Sequence, residues 1–285
     1  MSLRDARMPG HDARKEALST HGGAAIEIER VAATGSTNDD LLATVRAAAA
    51  AGASGFAPRL LVAERQSAGR GRHGRRWHAS PGRSLTFSLA WQLRRANLDG
   101  LSLAVGSAIA DALDPPSGGA PRIGLKWPND LWLLDPAQDV EQVPGRKLAG
   151  ILVETAPLGA ARVAVIGIGV NIAAQPAGAA VEAVASLDEI DPGATPASAL
   201  ERIAPALVAA LERFDALGFA GFEARFAARD LLRGRAVIGA AGELTGVAAG
   251  IARDGALLVD TGAGVVSVAS GEWRIHLAES AGRSC

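Results

Sequence analysis

The densest chemistry in the sequence lies between Glu64 and Arg83, in the segment ERQSAGRGRHGRRWHASPGR. From Arg65 to Arg83 it carries six arginines and two histidines and no acid. Gly69, Gly71 and Gly74 let the backbone approach a ligand and turn its N–H groups inward. Arginine grips phosphate or carboxylate through two parallel hydrogen bonds. As a pattern the loop admits three readings: a nucleic-acid patch, a cradle for a small anion, or a solvated charged loop. It is not a P-loop, because G-x-x-x-x-G-K-[ST] is absent.

Four further segments carry polar side chains that a ligand would use. In LKWPNDLW (Leu125 to Trp132), Lys126, Asn129 and Asp130 cluster on a turn. Asp130 offers the hard oxygen that Mg²⁺ takes, and Lys126 suits the accompanying phosphates; a plain surface turn explains the same residues. Lys147 opens the apolar run KLAGILVET, either as a solvated strand end or as a working cation. Gly167 and Gly169 in IGIGVN mark a bulge or a close backbone approach beside a strand. Ser36, Thr37 and Asn38 are small hydrogen-bonding residues at a helix start, which helix capping alone would account for.

The elements that must hold these residues follow from periodicity. Ile26–Val31 reads as the first strand, and the residues before about 22 as a tail. A helix follows, with Thr37 or Asn38 as N-cap, Leu41, Leu42, Val45 and Ala49 on its apolar face and Gly52 as stop. Arg59–Glu64 and Ser84–Trp91 read as strands and Leu101–Leu113 as a helix closed by Pro115 and Pro116. Arg122–Trp127 and Asp130–Leu134 are strands around a Pro-Asn turn; Lys147–Thr155 and Ala161–Ile172 are apolar, β-branched strands. A mobile stretch is expected from there to about Thr195. A helix starts at Pro196, kinked or divided at Pro205, and another covers Phe219–Leu232. Five short strands separated by glycines then suggest a small SH3-like barrel.

Composition bounds the rest. The chain has 285 residues, net charge −1, 48% hydrophobic and 21% charged residues, enough for a real core and too balanced for a general nucleic-acid coat. The length suits one large domain or two smaller ones. Cys285 is the single cysteine, so neither an intrachain disulfide nor a Cys-pair zinc site is expected. The N-terminus lacks an apolar signal core, and no run approaches the ~20 apolar residues of a membrane span, so a soluble, cytoplasmic protein is expected. Only three of the 29 basic residues are lysine (Lys15, Lys126, Lys147), and asparagine occurs only at 38, 97, 129 and 171. In such a chain the surviving lysines and asparagines mark places where their chemistry is hard to replace.

Taken together, and in this order, Ser36-Thr37-Asn38, Glu64-x-Gln66-x-Ala68-Gly69-Arg70-Gly71-Arg72-x-Gly74-Arg75-x-Trp77, Lys126-Trp127-Pro128-Asn129-Asp130, Lys147-Leu148-Ala149-Gly150-Ile151-Leu152-x-Glu154 and Gly167-x-Gly169-x-Asn171 closely resemble the biotin–protein ligase family. The resemblance runs over about residues 26 to 277. It implies an α/β (α+β) fold, with a mixed-sheet catalytic domain over 23–232, a C-terminal SH3-like β domain over 233–285 and a disordered tail over 1–22. It implies activation of biotin with ATP to biotinyl-5′-adenylate, then transfer to one lysine of a biotin carboxyl carrier protein of a biotin-dependent carboxylase. Biotin contacts fall by resemblance on Ser36, Thr37, Asn38, Gln66, Gly69, Arg70, Gly71, Arg72, Lys147 and Gly167. Arg70, Arg72 and Lys147 are the implied catalytic cations, and Arg75, Trp77, Lys126, Asn129 and Asn171 the implied ATP contacts. Asp130 is the implied Mg²⁺ ligand. The Arg/Gly loop is expected to be mobile when empty.

Some members carry an N-terminal DNA-binding domain; about 25 residues before the first strand are too few for one, so a ligase without repressor function or sequence-specific DNA binding is expected, as monomer or homodimer. Ser67 and His73 are read as neutral positions of the loop, and the connection from Asp135 to Gly145 as longer than a minimal hairpin. Two rival readings stand beside this one: a lipoate or octanoate ligase or transferase of similar fold, and a nucleic-acid-binding protein that uses the Arg-rich loop.

Overall fold

The computed structural model describes residues 14–19, 25–135, 145–175, 184–239, 242 and 244–275. Cys285, the connection over residues 136–144, and residues 176–183 of the stretch after Asn171 lie outside the described residues. The segment that reads as a tail contains a strand, β1 (Arg14–Ser19), paired antiparallel with β2 (Ala25–Thr34). The pairing gives the unpartnered backbone edge of β2 its hydrogen bonds, a need that side-chain periodicity does not announce.

An eight-stranded mixed sheet forms the body. Its remaining strands are β3 (Arg59–Gln66), β4 (Ser84–Leu93), β5 (Ile123–Lys126), β6 (Asp130–Leu134), β7 (Gly145–Leu158) and β8 (Ala161–Asn171), in spatial order β1-β2-β3-β4-β8-β7-β6-β5. Only β2 and β3 run parallel, which the crossover through helix α1 (Thr37–Ala50) requires. Strand alternation sends Leu60, Val62, Leu85, Phe87, Leu89, Ile166, Ile168 and Val170 to one face. There α2 (Leu101–Leu113) and α3 (Pro196–Leu217) cover them. The other face presents Leu61, Ala63, Ala90, Val163 and Val165 to Leu41, Leu42 and Val45 of α1.

Helix ends follow local chemistry with two differences from expectation. The N-cap of α1 is Ser36, whose Oγ accepts from Asp39 N–H, with Asp39 and Asp40 favourably placed in the first turn. Helix α3 starts at Pro196 behind a Thr195–Ser198 capping box and runs 22 residues, undivided at Pro205. Pro205 lies on the solvent side, where water can serve the carbonyl that loses its partner, while Ile203, Leu207, Leu211 and Phe214 hold the helix by burial. After Asn171 the described residues from Val184 onward are locked by an isolated bridge to Lys147 and a short 3-10 turn, Leu187–Glu189.

The helix expected over Phe219–Leu232 is not formed. A 3-10 turn at Gly218–Gly221 leads into the short α4 (Glu223–Ala227), and the chain then runs extended beside β5. Leu125 N–H donates to Arg229 O at 2.7 Å and Leu231 N–H to Leu125 O at 2.9 Å. Edge-strand pairing therefore outcompetes helix here, as the chain covers the free side of β5. The C-terminal strands β9 (Ala236–Gly239), β10 (Thr245–Ile251), β11 (Leu257–Asp260), β12 (Val265–Val268) and β13 (Trp273–Ile275) form an antiparallel sheet in the order β12-β11-β10-β9-β13. It docks on the body through two left-handed glycines in contact, Gly100 (φ 77°) and Gly255 (φ 84°), where a Cβ on Gly255 would sit 2.6 Å from Gly100 Cα. Beside them the buried indole of Trp127 donates to Gly255 O at 2.9 Å.

The buried Arg229 ties α2 to the start of β5. Its guanidinium, on a side chain 5% exposed, pairs with Asp111 at 3.0 Å and Asp114 at 2.8 Å and donates to the carbonyls of Ile123 and Asp114. Burial pushes the Asp114 carboxyl up, but hydrogen bonds from Arg229 and from the Ile123 and Arg122 amides outweigh it and hold it below its ordinary value. The stabilisation is therefore full above the ordinary aspartate range and is lost as pH falls through the depressed value. Arg229→Met should lower stability near neutral pH by about 3–5 kcal/mol in urea unfolding. It should also flatten the acid limb of the stability profile.

Candidate active site

Beyond the N-terminus of α1 the sheet face changes character. The row Ala90 continues along β4 as Ser88, Thr86 and Ser84; the row Val165 continues along β8 as Gly167, Gly169 and Asn171. On β7 the same face carries Glu154, Leu152 and Gly150. Aliphatic side chains give way to hydroxyls and bare backbone, and a cavity of about 540 Å³ opens where the helix stops. Ser36, Thr37 and Asn38 enter it from the first turn of α1, and Gln66 from the end of β3.

The Arg/Gly segment closes over this trough as a tight hairpin. Gly71 N–H donates to Arg75 O at 2.7 Å and Trp77 N–H to Gly69 O at 2.9 Å, with Arg70 bridged to Arg76. Arg70, Arg72, Arg75 and Trp77 thereby project to the cavity. The Trp77 ring lies on a floor made by Gly150 and Gly169, which face each other across β7 and β8. A Cβ on Gly169 would fall inside the indole. Gly167 plays the same part for Asn38, whose amide occupies the space a side chain would take. These strand glycines make room for the protein's own side chains.

Lys147 reaches the cavity because of a β-bulge. Pairing of β6 with β7 shifts between Leu131 and Trp132, so Leu148 is the extra residue. Leu148 and Ala149 both point into the core, and Lys147 is turned to the face opposite the one strict alternation would give it. Asn171 Nδ2 and Ala185 N–H both donate to its carbonyl, at 3.5 and 2.9 Å, and fix its backbone.

Three of the cations meet acids. Lys147 Nζ lies 2.8 Å from Asp130 Oδ1, an ion contact and not an aligned hydrogen bond, and 5.9 Å from the centre of the Trp77 ring. Arg70 pairs with Asp39 at 2.6 Å and Glu154 at 2.8 Å; Arg75 pairs with Glu272, just before β13, at 2.6 Å. Arg72 donates to Asn129 Oδ1 at 3.3 Å. Burial holds its guanidinium below the ordinary value, against the opposing pull of Asp130 and Glu272. Unmet hydrogen-bonding capacity is concentrated in the same wall: Trp77 Nε1, Thr86 Oγ1, Gln175 Oε1 and Asp130 Oδ1 are buried and make no hydrogen bond. Buried polar atoms of this kind are uncommon and cluster where a ligand supplies partners.

Of the residues assigned ligand contacts from the sequence, two do not line the cavity. Lys126 lies over the Trp132 ring, 4.8 Å from its centre. It sits opposite Asp130 in the β5–β6 hairpin and is not among the residues that line the cavity. Gly69 acts in the turn of the loop, where a Cβ would meet Trp77 O at 2.5 Å. Thr86, Ser88, Gln175 and Glu272 line or support the site and were not singled out. Ser84, Thr86 and Ser88 carry a signal, a hydroxyl at every second position of an otherwise apolar strand. Glu272 carries none, since it comes from the distant small sheet.

Residues 55–171 match the model of the Biotin/lipoate A/B protein ligase family, and residues 234–272 that of the Biotin protein ligase C terminal domain. The chain is 34% identical over 296 residues to the biotin–[acetyl-CoA-carboxylase] ligase of Mycobacterium tuberculosis, covering 97% of this chain and 100% of that protein. It is 36% identical over 225 residues to the bifunctional ligase/repressor BirA of Escherichia coli, covering 76% of this chain and 66% of that protein. The match thus spans about two thirds of the length of the latter relative. Among solved structures, the biotin protein ligase from Aquifex aeolicus in complex with biotin and ATP superposes with a TM-score of 0.68 at 25% identity, over 88% of this chain and 99% of that one.

The glycine floor gives a direct test. Gly169→Ala must displace the Trp77 ring, at a cost of about 1–3 kcal/mol typical of overpacking. Urea unfolding should show that loss and near-ultraviolet dichroism a change in the indole environment. A variant with wild-type stability and spectrum would mean that the ring does not rest there.

Proposed function

The chain belongs to the biotin protein ligase family, and from that premise we propose that it activates biotin with ATP to biotinyl-5′-adenylate and transfers the biotinyl group to a lysine of a biotin carboxyl carrier protein. The observation that carries this reading is the trough itself. One end is lined by Thr37, Gln66 and Asn38, backed by the buried Ser88, a hydrogen-bonding set for a polar heterocycle; the other collects Arg72, Asn129, Asn171, Trp77 and Lys147. A ligand with an uncharged polar head, an apolar middle and a carboxylate fits that order, with a nucleotide at the second end.

In the first step a biotin carboxylate oxygen attacks the α-phosphorus of ATP, and pyrophosphate leaves. Two anions must meet. Arg72 and Lys147 offset that repulsion and then the charge of the phosphorane-like transition state, and Arg70, held by Asp39 and Glu154, would have to leave those acids to join them. Trp77 offers its indole face to the adenine. In the second step the carrier lysine amine attacks the acyl carbon and AMP leaves; the hairpin over the trough keeps water from the mixed anhydride meanwhile.

For magnesium, Asp130 supplies one carboxylate whose buried Oδ1 makes no hydrogen bond. Among the described residues no group of three His, Cys, Asp or Glu could hold a metal by itself. That donor set suits Mg²⁺, which keeps its waters and binds through one or two carboxylates plus substrate phosphates. When bound, the ion would neutralise phosphate charge, and Asp130 would hold it. Among the described residues no helix is long and apolar enough to cross a membrane, and the reading places the enzyme in the cytoplasm with its carrier protein.

Biotin-dependent ATP–pyrophosphate exchange tests the proposal. Exchange supported by lipoate and not biotin, or by neither, would overturn it. Lys147→Arg keeps the charge but changes reach and shape, and should cost about 2.7–4 kcal/mol of transition-state stabilisation in the exchange rate. Trp77→Ala should raise the KM for ATP more than that for biotin, consistent with a stacking contribution of about 1–3 kcal/mol.

A further inference from the structure

We propose that Glu154 is a positioning residue that sets the donor and acceptor polarity at the end of the trough where the biotin head group binds; this rests on the ligase reading above. Its Oε2 accepts from Asn38 Nδ2 and from Arg70, each at 2.8 Å. A carboxylate paired with a guanidinium offers only acceptors. Asn38 must therefore present its amide nitrogen, since the flipped side chain would set one oxygen against another. Leu152 O, 3.4 Å from the same nitrogen, favours that orientation too.

The consequence passes along the network one proton at a time. Asn38 Oδ1 is turned to Ser88, whose hydroxyl donates to it at 2.6 Å. With that proton committed, the 2.6 Å contact between Thr37 Oγ1 and Ser88 Oγ must have Thr37 as donor. The single hydroxyl proton of Thr37 then cannot also serve Gln66 Oε1, 3.1 Å away, which already accepts the Thr37 N–H at 2.7 Å. What remains for a ligand is a lone pair on Thr37 Oγ1, as acceptor, and the Gln66 amide nitrogen, as donor. A cyclic urea carries N–H donors beside a C=O acceptor, the complement of that pair. Glu154 touches no ligand in this account; its charge fixes which way Asn38, Ser88 and Thr37 point, while the Thr37 N–H orients the Gln66 amide.

Isothermal titration with biotin, together with KM values for biotin and ATP, separates this from a plain structural ion pair. Glu154→Gln is isosteric but can donate, so biotin affinity should fall about ten-fold, the worth of roughly one good hydrogen bond, with the ATP KM little changed. Glu154→Asp keeps an acceptor-only group and should bind biotin more tightly than Glu154→Gln; a space-filling role ranks them the other way. Combined with Asn38→Ala, Glu154→Gln should add no further loss, because the two act in series. Ser88→Ala breaks the relay without touching the ion pair and should reproduce the biotin-selective loss, which keeps the test open if Glu154→Gln does not fold. Unchanged biotin affinity, equal weakening of biotin and ATP, or additive losses would each overturn the role of Glu154 alone. Wild-type protein that binds no biotin would overturn the ligase reading, and this inference with it.

Discussion

A β-sheet with two apolar faces has to be covered on both, and in this protein one cover is too short. Helices α2 and α3 hide one face of the eight-stranded sheet, whereas α1 hides only part of the other. At the end of α1, continued aliphatic side chains would be exposed to water at a cost of about 25 cal/mol per Å². The sequence instead switches to Ser88, Thr86, Ser84, Gly167 and Gly169 along the same rows. The trough and the helix end are thus two results of one packing constraint. The first turn of α1 is buried against the place where its own cover runs out, which is why Ser36, Thr37 and Asn38 combine capping with lining.

Charge organises what packing leaves open. Cations held close together repel, and carboxylates from different elements are set among those of the trough: Asp39 from α1 and Glu154 from β7 on Arg70, Asp130 from β6 on Lys147, and Glu272 from beside β13 on Arg75. Incoming anions therefore displace existing partners and do not enter a bare positive field. The small C-terminal sheet takes part in this arrangement. Docked through Gly100, Gly255 and Trp127, it delivers Glu272 to the Arg/Gly hairpin.

Much of this was legible in the residues, and the failures have causes. The central strands announce themselves as short apolar, β-branched runs, because both faces of the sheet are buried, and α2 by the prolines that close it. The strand beside β2 and the extended run at Arg229–Leu231 did not, because each exists to serve the backbone edge of another strand. Alternation in a single segment carries no trace of that demand. At the site, scarcity singled out Lys147, Asn38, Asn129 and Asn171, which all line the cavity, and Lys126, which does not and lies over Trp132. The strand glycines suggested close approach by a ligand. In the fold they admit Trp77 and Asn38, so the inference of crowding held while the crowding partner came from the chain itself.

The bulge at Leu148 makes the address of Lys147 a matter of parity. From Gly150 backwards, simple counting would leave Lys147 in the core, and one surplus residue returns it to the trough. The run from Lys147 to Gly150 is therefore a spacer whose length is fixed to the residue: gaining or losing one position there would invert the lysine without disturbing the strand's hydrophobicity.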